Sequence, residues 1–443
     1  MNREMTVKLG LVALLMMLLM IPLLLIGGLV EERQGLRDRV LEDIANSASR
    51  QQQVIGPLLV LPYRKTVREW KTHAKTGQRY EESHVRQGRL YFLPERLQVT
   101  SEVSSEPRNR GIYQALLYHS RNQFSGHFQV PANYGISADW ADYVFDTPYL
   151  SVGISDIRGI ESSLQLRWNE QTLAFAPGSG ELLLESGVHA DLPLPSTAGQ
   201  QLAFTFDLAL QGTRQLALSP LGRDSQWQMR ADWPHPSFVG QFLPQRREVT
   251  AEGFTAHWQS SFFATNYEER LQACLGHRHC LSDSDNPFAV SFINPVDQYL
   301  KSERAIKYAL LFIALTFAGF FLFEVLKRLA VHPMQYGLVG LALALFYLLL
   351  LSLAEHVPFA LAYLLAAAAC VLLLGIYLSA VLRSAWRGGA FALALGLLYG
   401  LLYVLLDAED YALLMGSLLV FGLLAGVMLL TRRLDWYSLG RGA

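Results

Sequence analysis

The run Cys274-Leu275-Gly276-His277-Arg278-His279-Cys280 holds the densest reactive chemistry in the chain. In an oxidising compartment Cys274 and Cys280 can close a local disulfide. Cys274, His277, His279 and Cys280 are also soft or borderline ligands of the kind that hold zinc or copper(I). Ligands this close must wrap one short loop, and the spacing matches no established zinc pattern. A disulfide is therefore the expectation, with a metal site as the alternative. The third cysteine, Cys370, sits in an apolar stretch and reads as a small packing residue.

Other candidates are sparser. His235 lies between Pro234 and Pro236, with Trp233 and Phe238 beside it. Prolines restrict their own backbone and that of the residue before them, so this loop holds one shape. It reads either as a recognition loop or as a packed crossover between strands. Glu324 precedes Lys327 and Arg328 at helical spacing, which suits an ordinary exposed ion pair; facing a bundle interior, the same carboxylate points to ion or proton handling. Glu355 and His356 mark the end of an apolar stretch, and a proton-sensing pair is the sharper reading of them. No H-E-x-x-H, G-x-S-x-G or Walker loop occurs. No catalytic, metal or cofactor residue is assigned, and the chain is not read as an enzyme.

The elements that position Glu324, Cys370, Glu355 and His356 are membrane spans. Residues 9–30 form an apolar run long enough to cross a hydrocarbon core of about 30 Å. Gly27-Gly28-Leu29-Val30 leads straight into Glu31-Glu32-Arg33 without a small-residue cleavage site, so the run reads as an uncleaved signal anchor. Five more stretches follow, at 306–326, 334–354, 358–382, 390–406 and 411–431. Arg3 and Lys8, Lys327 and Arg328, Arg383 and Arg387, and Arg432, Arg433 and Arg441 flank alternate ends. The other loops carry Glu355 and His356, then Asp407, Glu409 and Asp410. Basic residues in short flanks mark the cytoplasmic side. The expectation is six transmembrane helices with both termini cytoplasmic (residues 1–8 and 432–443), and with residues 31–305 on the outer face of an inner membrane. Gly396-x-x-x-Gly400 and Gly422-x-x-x-Gly426 permit close helix approach, within this bundle or in a homo-oligomer.

Between the spans, residues 31–53 carry Leu36, Val40, Leu41, Ile44 and Ala48 on one face and read as a juxtamembrane helix. From residue 54 to 305 the period changes to two. Leu97, Val99, Ser101 and Val103 alternate with polar neighbours, as do Leu202, Phe204, Phe206, Leu208 and Leu210, then Trp227, Met229 and Ala231, then Phe254, Ala256 and Trp258. Short alternating runs between turn residues predict a large β-rich domain of antiparallel, sandwich-like sheets. Helical pieces are expected at 111–120 and 266–275. A formal net charge of -1 offers no basis for binding nucleic acid.

Longer segments carry a resemblance. They include Ala231-Asp232-Trp233-Pro234-His235-Pro236-Ser237-Phe238, His257-Trp258-Gln259-Ser260-Ser261, Phe323-Glu324 and His332-Pro333-Met334-Gln335-Tyr336-Gly337-Leu338-Val339-Gly340, and the chain closes with Asp435-Trp436-Tyr437-Ser438. Shorter echoes are Val54-Ile55-Gly56-Pro57, Arg110-Gly111-Ile112-Tyr113 and Asp156-Ile157-Arg158-Gly159. Over nearly its whole length the chain resembles the CreD family of inner-membrane proteins. The resemblance implies a role in cell-envelope integrity, the envelope stress response and colicin tolerance, and it implies no known reaction. The function expected is non-enzymatic binding or scaffolding through the outer domain, with the lipid bilayer and an envelope protein or envelope component as partners. A transport or insertase-like device of the YidC type shares the layout and is the first alternative; an envelope hydrolase is the second.

Overall fold

The computed structural model describes residues 3–73, 79–275, 277–281, 288–292, 298–327, 331–407 and 412–432. Arg328, Glu409, Asp410, Arg433, Arg441 and the closing Asp-Trp-Tyr-Ser segment lie outside them. The chain divides into two compact units, residues 1–39 with 296–443 and residues 40–295.

Among the described residues five helices are long and apolar enough to cross a membrane. Their spanning segments are Gly10–Ser47, Gln298–Phe321, Pro333–Ala354, Phe359–Val381 and Ala385–Asp407. A sixth helix, Ala412–Thr431, stands where the last span is expected but is not among those five. The first helix runs unbroken from Arg3 to Ser47 through Pro22. Val12, Leu19, Leu23, Ile26 and Val30 form its buried stripe, while Leu14, Met17, Leu18, Leu24 and Leu25 are at least half exposed. That exposed face suits hydrocarbon rather than water.

The helix Pro333–Ala354 shows why a mixed-polarity motif sits inside an apolar bundle. His332 is its N-cap, and Pro333 follows where no backbone N–H is needed. The Met334 N–H donates to His332 Nδ1 (3.2 Å), and the His332 N–H donates to Gln335 Oε1 (3.0 Å), a reciprocal capping box. Gly340 then lets the first helix and Gln298–Lys327 close in. A Cβ there would collide with Leu19 and lie 2.8 Å from the Phe317 ring. Gly396, Gly400, Gly422 and Gly426, expected to pack the bundle, have nothing within 4 Å of where a Cβ would stand. Close helix approach belongs instead to Gly340 and to Gly388, whose Cβ would strike Ser379.

The second unit is β-rich. An eight-stranded sheet runs Arg246–Thr250, Gly253–Ser260, Asp224–Ala231, Pro94–Arg110, Tyr113–Val130, Gln200–Thr213, Gln165–Trp168, Gln171–Ala174. A nine-stranded sheet follows the path Pro236–Val239, Phe288–Phe292, Gln215–Pro220, Gln52–Thr72, Tyr149–Ile154, Gly187–Asp191, Ala176–Pro177. Arg79–Phe92 and Tyr143–Phe145 also pair with Gln52–Thr72. Two strand pairs are parallel, Gln52–Thr72 with Gln215–Pro220 and Pro94–Arg110 with Asp224–Ala231; the other ladders are antiparallel. Inward residues of both sheets meet in one apolar cluster, from Leu59 and Leu150 of one to Phe124, Phe206 and Trp227 of the other. The alternating runs of the sequence are its inward faces: Leu202, Phe204, Phe206, Leu208 and Leu210 are all at most 3% exposed. Burying such side chains contributes about 1.5–3 kcal/mol each before entropy is counted.

Two expectations fail here. Residues 111–120 are not helical: Gly111 (φ 64°) turns a hairpin, and Tyr113–Val130 is a strand. Ala115, Leu117 and Tyr118 are buried and Leu116 is half-buried, so both faces of this strand are apolar and its period-two signal is lost. The juxtamembrane helix stops at Ser47, and the first strand begins at Gln52, two residues before the expected start. The helix expected near 266–275 is present as Tyr267–Cys274.

The helix end is seated by the Asp-Ile-Arg-Gly echo. Arg158 Nη1 donates to the Asn46 carbonyl (2.8 Å), and the Arg50 N–H donates to Asp156 Oδ2 (3.1 Å). Ser49 Oγ donates to the Gln211 carbonyl (2.6 Å), and a Cβ at Gly159 would strike that same oxygen.

Candidate functional site

A cleft of about 1500 Å³ in the β-rich unit is built around Glu181. The segment bearing Glu181 follows the turn Pro177-Gly178-Ser179-Gly180 and is pinned on both sides. Ser151 Oγ donates to the Ser179 carbonyl (2.6 Å), and His189 Nδ1 lies 2.6 Å from the Gly178 carbonyl. Gly180 (φ 73°) sits in the left-handed region, and a Cβ there would press on the Tyr149 ring at 3.0 Å. The Glu181 side chain is completely buried. Tyr149 Oη donates to its Oε1 (2.5 Å), while Tyr91 Oη (3.0 Å) and Arg89 Nη1 (3.1 Å) donate to its Oε2. A buried carboxylate is tolerated when it is paired and hydrogen-bonded in this way. Burial, followed by the Glu181 charge, pushes the Tyr91 hydroxyl up to about 12 and moves Tyr149 in the same direction. Both phenols therefore stay protonated donors at neutral pH.

The walls are polar and electrically balanced. Lys65 Nζ lies 3.4 Å from Asp139 Oδ2 and 4.9 Å over the Tyr143 ring, and Arg68 Nη2 lies 3.0 Å from Asp142 Oδ1. Tyr63 and Tyr143 are ring neighbours at 5.2 Å. Tyr63 lies across Gly88 of the paired strand, where any Cβ would collide with the ring.

The cysteine loop borders this cleft. Cys274 and Cys280 are joined in a disulfide, Cα–Cα 5.5 Å. The His279 N–H donates to the Leu182 carbonyl (2.8 Å), and the Leu281 N–H donates to the Leu183 carbonyl (3.1 Å), lashing the loop to the segment after Glu181. Leu275 and His277 line the cleft. Both thiols are consumed in the bond, so the alternative four-ligand metal site is not assembled; among the described residues no group of three or more His, Cys, Asp or Glu could hold a metal ion.

The other candidates from the sequence stand apart from the cleft. Trp233 Nε1 donates to the His235 carbonyl (3.1 Å), which closes the proline-flanked turn on itself. Phe238 belongs to the strand Pro236–Val239 and packs edge-on against Phe254 (5.5 Å) and Trp258 (5.8 Å). His235 is exposed while Trp233 and Phe238 are half-buried, the pattern of a packed crossover. Glu324 is not an exposed helix-surface group: it is 7% exposed, accepts from Tyr336 Oη (2.8 Å) at Oε2, and faces the Val331 N–H (3.3 Å) at Oε1. Glu355 receives the Tyr299 hydroxyl (3.3 Å) and lies 3.7 Å from Arg33 Nε, whereas His356 Nδ1 lies 3.1 Å from the Ser352 carbonyl. Glu355 and His356 thus turn to different partners.

The sequence passed over one further cluster. His119 is held between two carboxylates, Nδ1 2.7 Å from Glu161 Oε1 and Nε2 2.9 Å from Glu106 Oε2. Burial lowers its pKa, but the hydrogen bonds it donates to Glu106 and Glu161 outweigh that and leave it raised above 6.5. Glu106 is lowered in turn, first by His119 and then by Arg108.

The family model described as "Inner membrane protein CreD" matches residues 4–437. The Inner membrane protein CreD of Escherichia coli (strain K12) is 39% identical over 424 residues, which cover 95% of this chain and 91% of that protein. Among solved structures, an M1 zinc metallopeptidase from Deinococcus radiodurans bound to a Tyr-Ser-Ala substrate is 11% identical over 38% of each chain, with a TM-score of 0.19. A two-domain M1 zinc metallopeptidase bound to L-tryptophan is 9% identical over 38% of each chain at 0.18. Neither likeness is close enough to carry an argument.

Proposed function

The chain belongs to the CreD family of inner membrane proteins, and from that premise we propose that it supports envelope integrity, stress resistance and colicin tolerance by binding, without catalysis. In this reading six helices cross the inner membrane, both termini are cytoplasmic, and the β-rich unit is periplasmic and takes an envelope protein or component. The basic flanks, with Arg383 and Arg387 on one side against Glu355 and Asp407 on the other, support that orientation. The observation that carries the binding reading is the state of Glu181. A general acid or nucleophile must reach its substrate, but this carboxylate has no exposed surface and already accepts three donors. It acts as a post under two tyrosines and an arginine. Photocrosslinking in cells from positions 65, 87 and 191 at the cleft, against exposed position 170 away from it, tests the reading. Adducts formed only from the cleft support it; equal labelling at all four positions refutes it. Reporter fusions at Gln226 that are active only in the cytosol would overturn the orientation.

The burial of Glu324 favours a second reading, a transport or insertase-like device, because a carboxylate inside a helical bundle is costly unless it is used or well paired. A nascent or transported substrate crosslinked within the bundle would promote it over the first.

A further inference from the structure

We propose that the Glu181 cleft binds an uncharged, hydroxyl-rich glycan segment several sugar rings long. This rests on the reading of the β-rich unit as a binding module and assigns its ligand. Three observations carry it. The first is size: about 1500 Å³ exceeds the roughly 300–1,000 Å³ of ordinary small-molecule sites, so the occupant is an oligomer lying along a groove.

The second is charge. The cleft is lined by four Lys or Arg (Lys65, Arg68, Arg86, Arg89) and five Asp or Glu (Asp139, Asp142, Asp146, Glu181, Asp191). Three of those cations already face a carboxylate, at 3.4, 3.0 and 3.1 Å for Lys65, Arg68 and Arg89. At Lys65, Arg68 and Arg89 an anionic ligand would have to displace a carboxylate to gain the cation, and at Asp139, Asp142, Asp146 and Glu181 a cationic ligand would have to displace a cation. Arg86 and Asp191, one of each sign, stand outside these pairs and leave the lining balanced. A neutral ligand breaks no ion pair. Its hydroxyls donate to the unused lone pairs of the wall carboxylates, each of which offers about four acceptor sites, and accept from guanidinium N–H groups.

The third is the rings. Tyr63, Tyr91, Tyr143 and Tyr149 all line the cleft. The Tyr63 ring reaches over Gly88, where a Cβ would collide with it, and the Tyr149 ring lies against Gly180. Planar rings suit the C–H face of a pyranose, while the Tyr91 and Tyr149 hydroxyls stay committed to Glu181 and hold their rings in place. Extended peptides are usually held by apolar side-chain pockets, strand pairing or clustered arginines. Rings alternating with compensated charges provide instead for a ligand with many hydroxyls and no net charge.

The test uses the full-length protein in lipid nanodiscs and titration calorimetry. The probes are N-acetylglucosamine tetramer and maltotetraose as neutral glycans, an uncharged capped tetrapeptide, and inorganic phosphate. Saturable binding of a neutral tetramer is expected, nearly independent of salt, with no heat from phosphate. Tyr143→Ala is expected to weaken it about tenfold, or about 1.4 kcal/mol, with the melting temperature of the protein kept. Arg86→Gln, a wall residue exposed at the rim, gives a second variant that cannot fail through the core; it is expected to lower affinity without adding salt dependence. Three results overturn the proposal: no binding of either glycan, binding unchanged in both variants, or tighter binding of the peptide or phosphate. If the glycans fail while cleft-specific crosslinks still form in cells, the glycan assignment falls and the binding reading stands; if the crosslinks fail as well, both fall.

Discussion

Tyr336→Phe tests whether the Glu324 hairpin is a structural tie. Tyr336 is fully buried and its hydroxyl donates to Glu324 Oε2 at 2.8 Å; Glu324 is 7% exposed. The substitution removes one hydroxyl and leaves the ring in contact with Phe317 (5.6 Å) and Phe320 (4.8 Å), so little packing is lost. What remains is a buried carboxylate short of a donor, a loss of about 1.5–3 kcal/mol for a hydrogen bond to a charged group. Glu324→Gln keeps the volume and an acceptor oxygen but drops the charge, so Tyr336→Phe in that background is expected to cost only about 0.5–1.5 kcal/mol. The double-mutant cycle therefore predicts a coupling of about 1 kcal/mol or more. The disulfide leaves Cys370 as the free thiol, 5% exposed in the same bundle, so its labelling by a fluorogenic maleimide during a thermal ramp reports bundle unfolding. The reasoning fails if Tyr336→Phe moves the midpoint no more than a surface substitution does. It fails equally if the loss is the same in both backgrounds.

The other predictions concern packing and pH. Gly340→Leu is expected to destabilise the bundle by about 1–3 kcal/mol through overpacking, while Gly400→Leu, which meets nothing within 4 Å, is expected to leave the monomer unchanged; equal effects would contradict the assignment of close approach. The raised pKa of His119 gives stability that is complete below its ordinary value near 6.5 and is lost as pH rises through the raised value. The lowered Glu106 contributes above the usual carboxylate range and loses its share as pH falls through its own value. The clamp is thus strongest between those limits, and His119→Gln is expected to abolish the fall in melting temperature on the alkaline side; an unchanged profile would rule it out. Phe238→Ala is expected to cost about 3–5 kcal/mol at most, given its half-burial, and His235→Ala under about 0.5 kcal/mol, measured as protein abundance and melting temperature; loss of an envelope phenotype in a stable His235→Ala would revive the recognition loop.

Much of the architecture could be read directly. Long apolar runs announce helices, and strict alternation such as Leu202 to Leu210 announces half-buried strands. The cleft could not. Glu181 stands 92 residues from Arg89 and 32 from Tyr149, so no local pattern links them, and the Gly-Ser-Gly run before it reads only as a turn. The glycine stripes do not mark close approach within this bundle, because regular small residues also occur on open helix faces, where only a second copy could meet them; Gly340, which is in close contact, sits in a motif with no such repeat. Three of the segments that carry the family resemblance are joints. His332 to Gln335 caps a helix, Tyr336 ties down Glu324, and Asp156 to Gly159 seats the end of the first helix. Mixed polarity suits such places, because a joint needs specific donors and acceptors where a core needs only volume.

The close approach of Tyr63 to Gly88 carries a consequence for kinship. A relative that acquires even a methyl group at position 88 must evict the ring across the ladder, so these two alignment columns should change together. Members of the family that keep both residues would then keep the ring in that wall of the cleft, and members that lose both would present a wall of different shape.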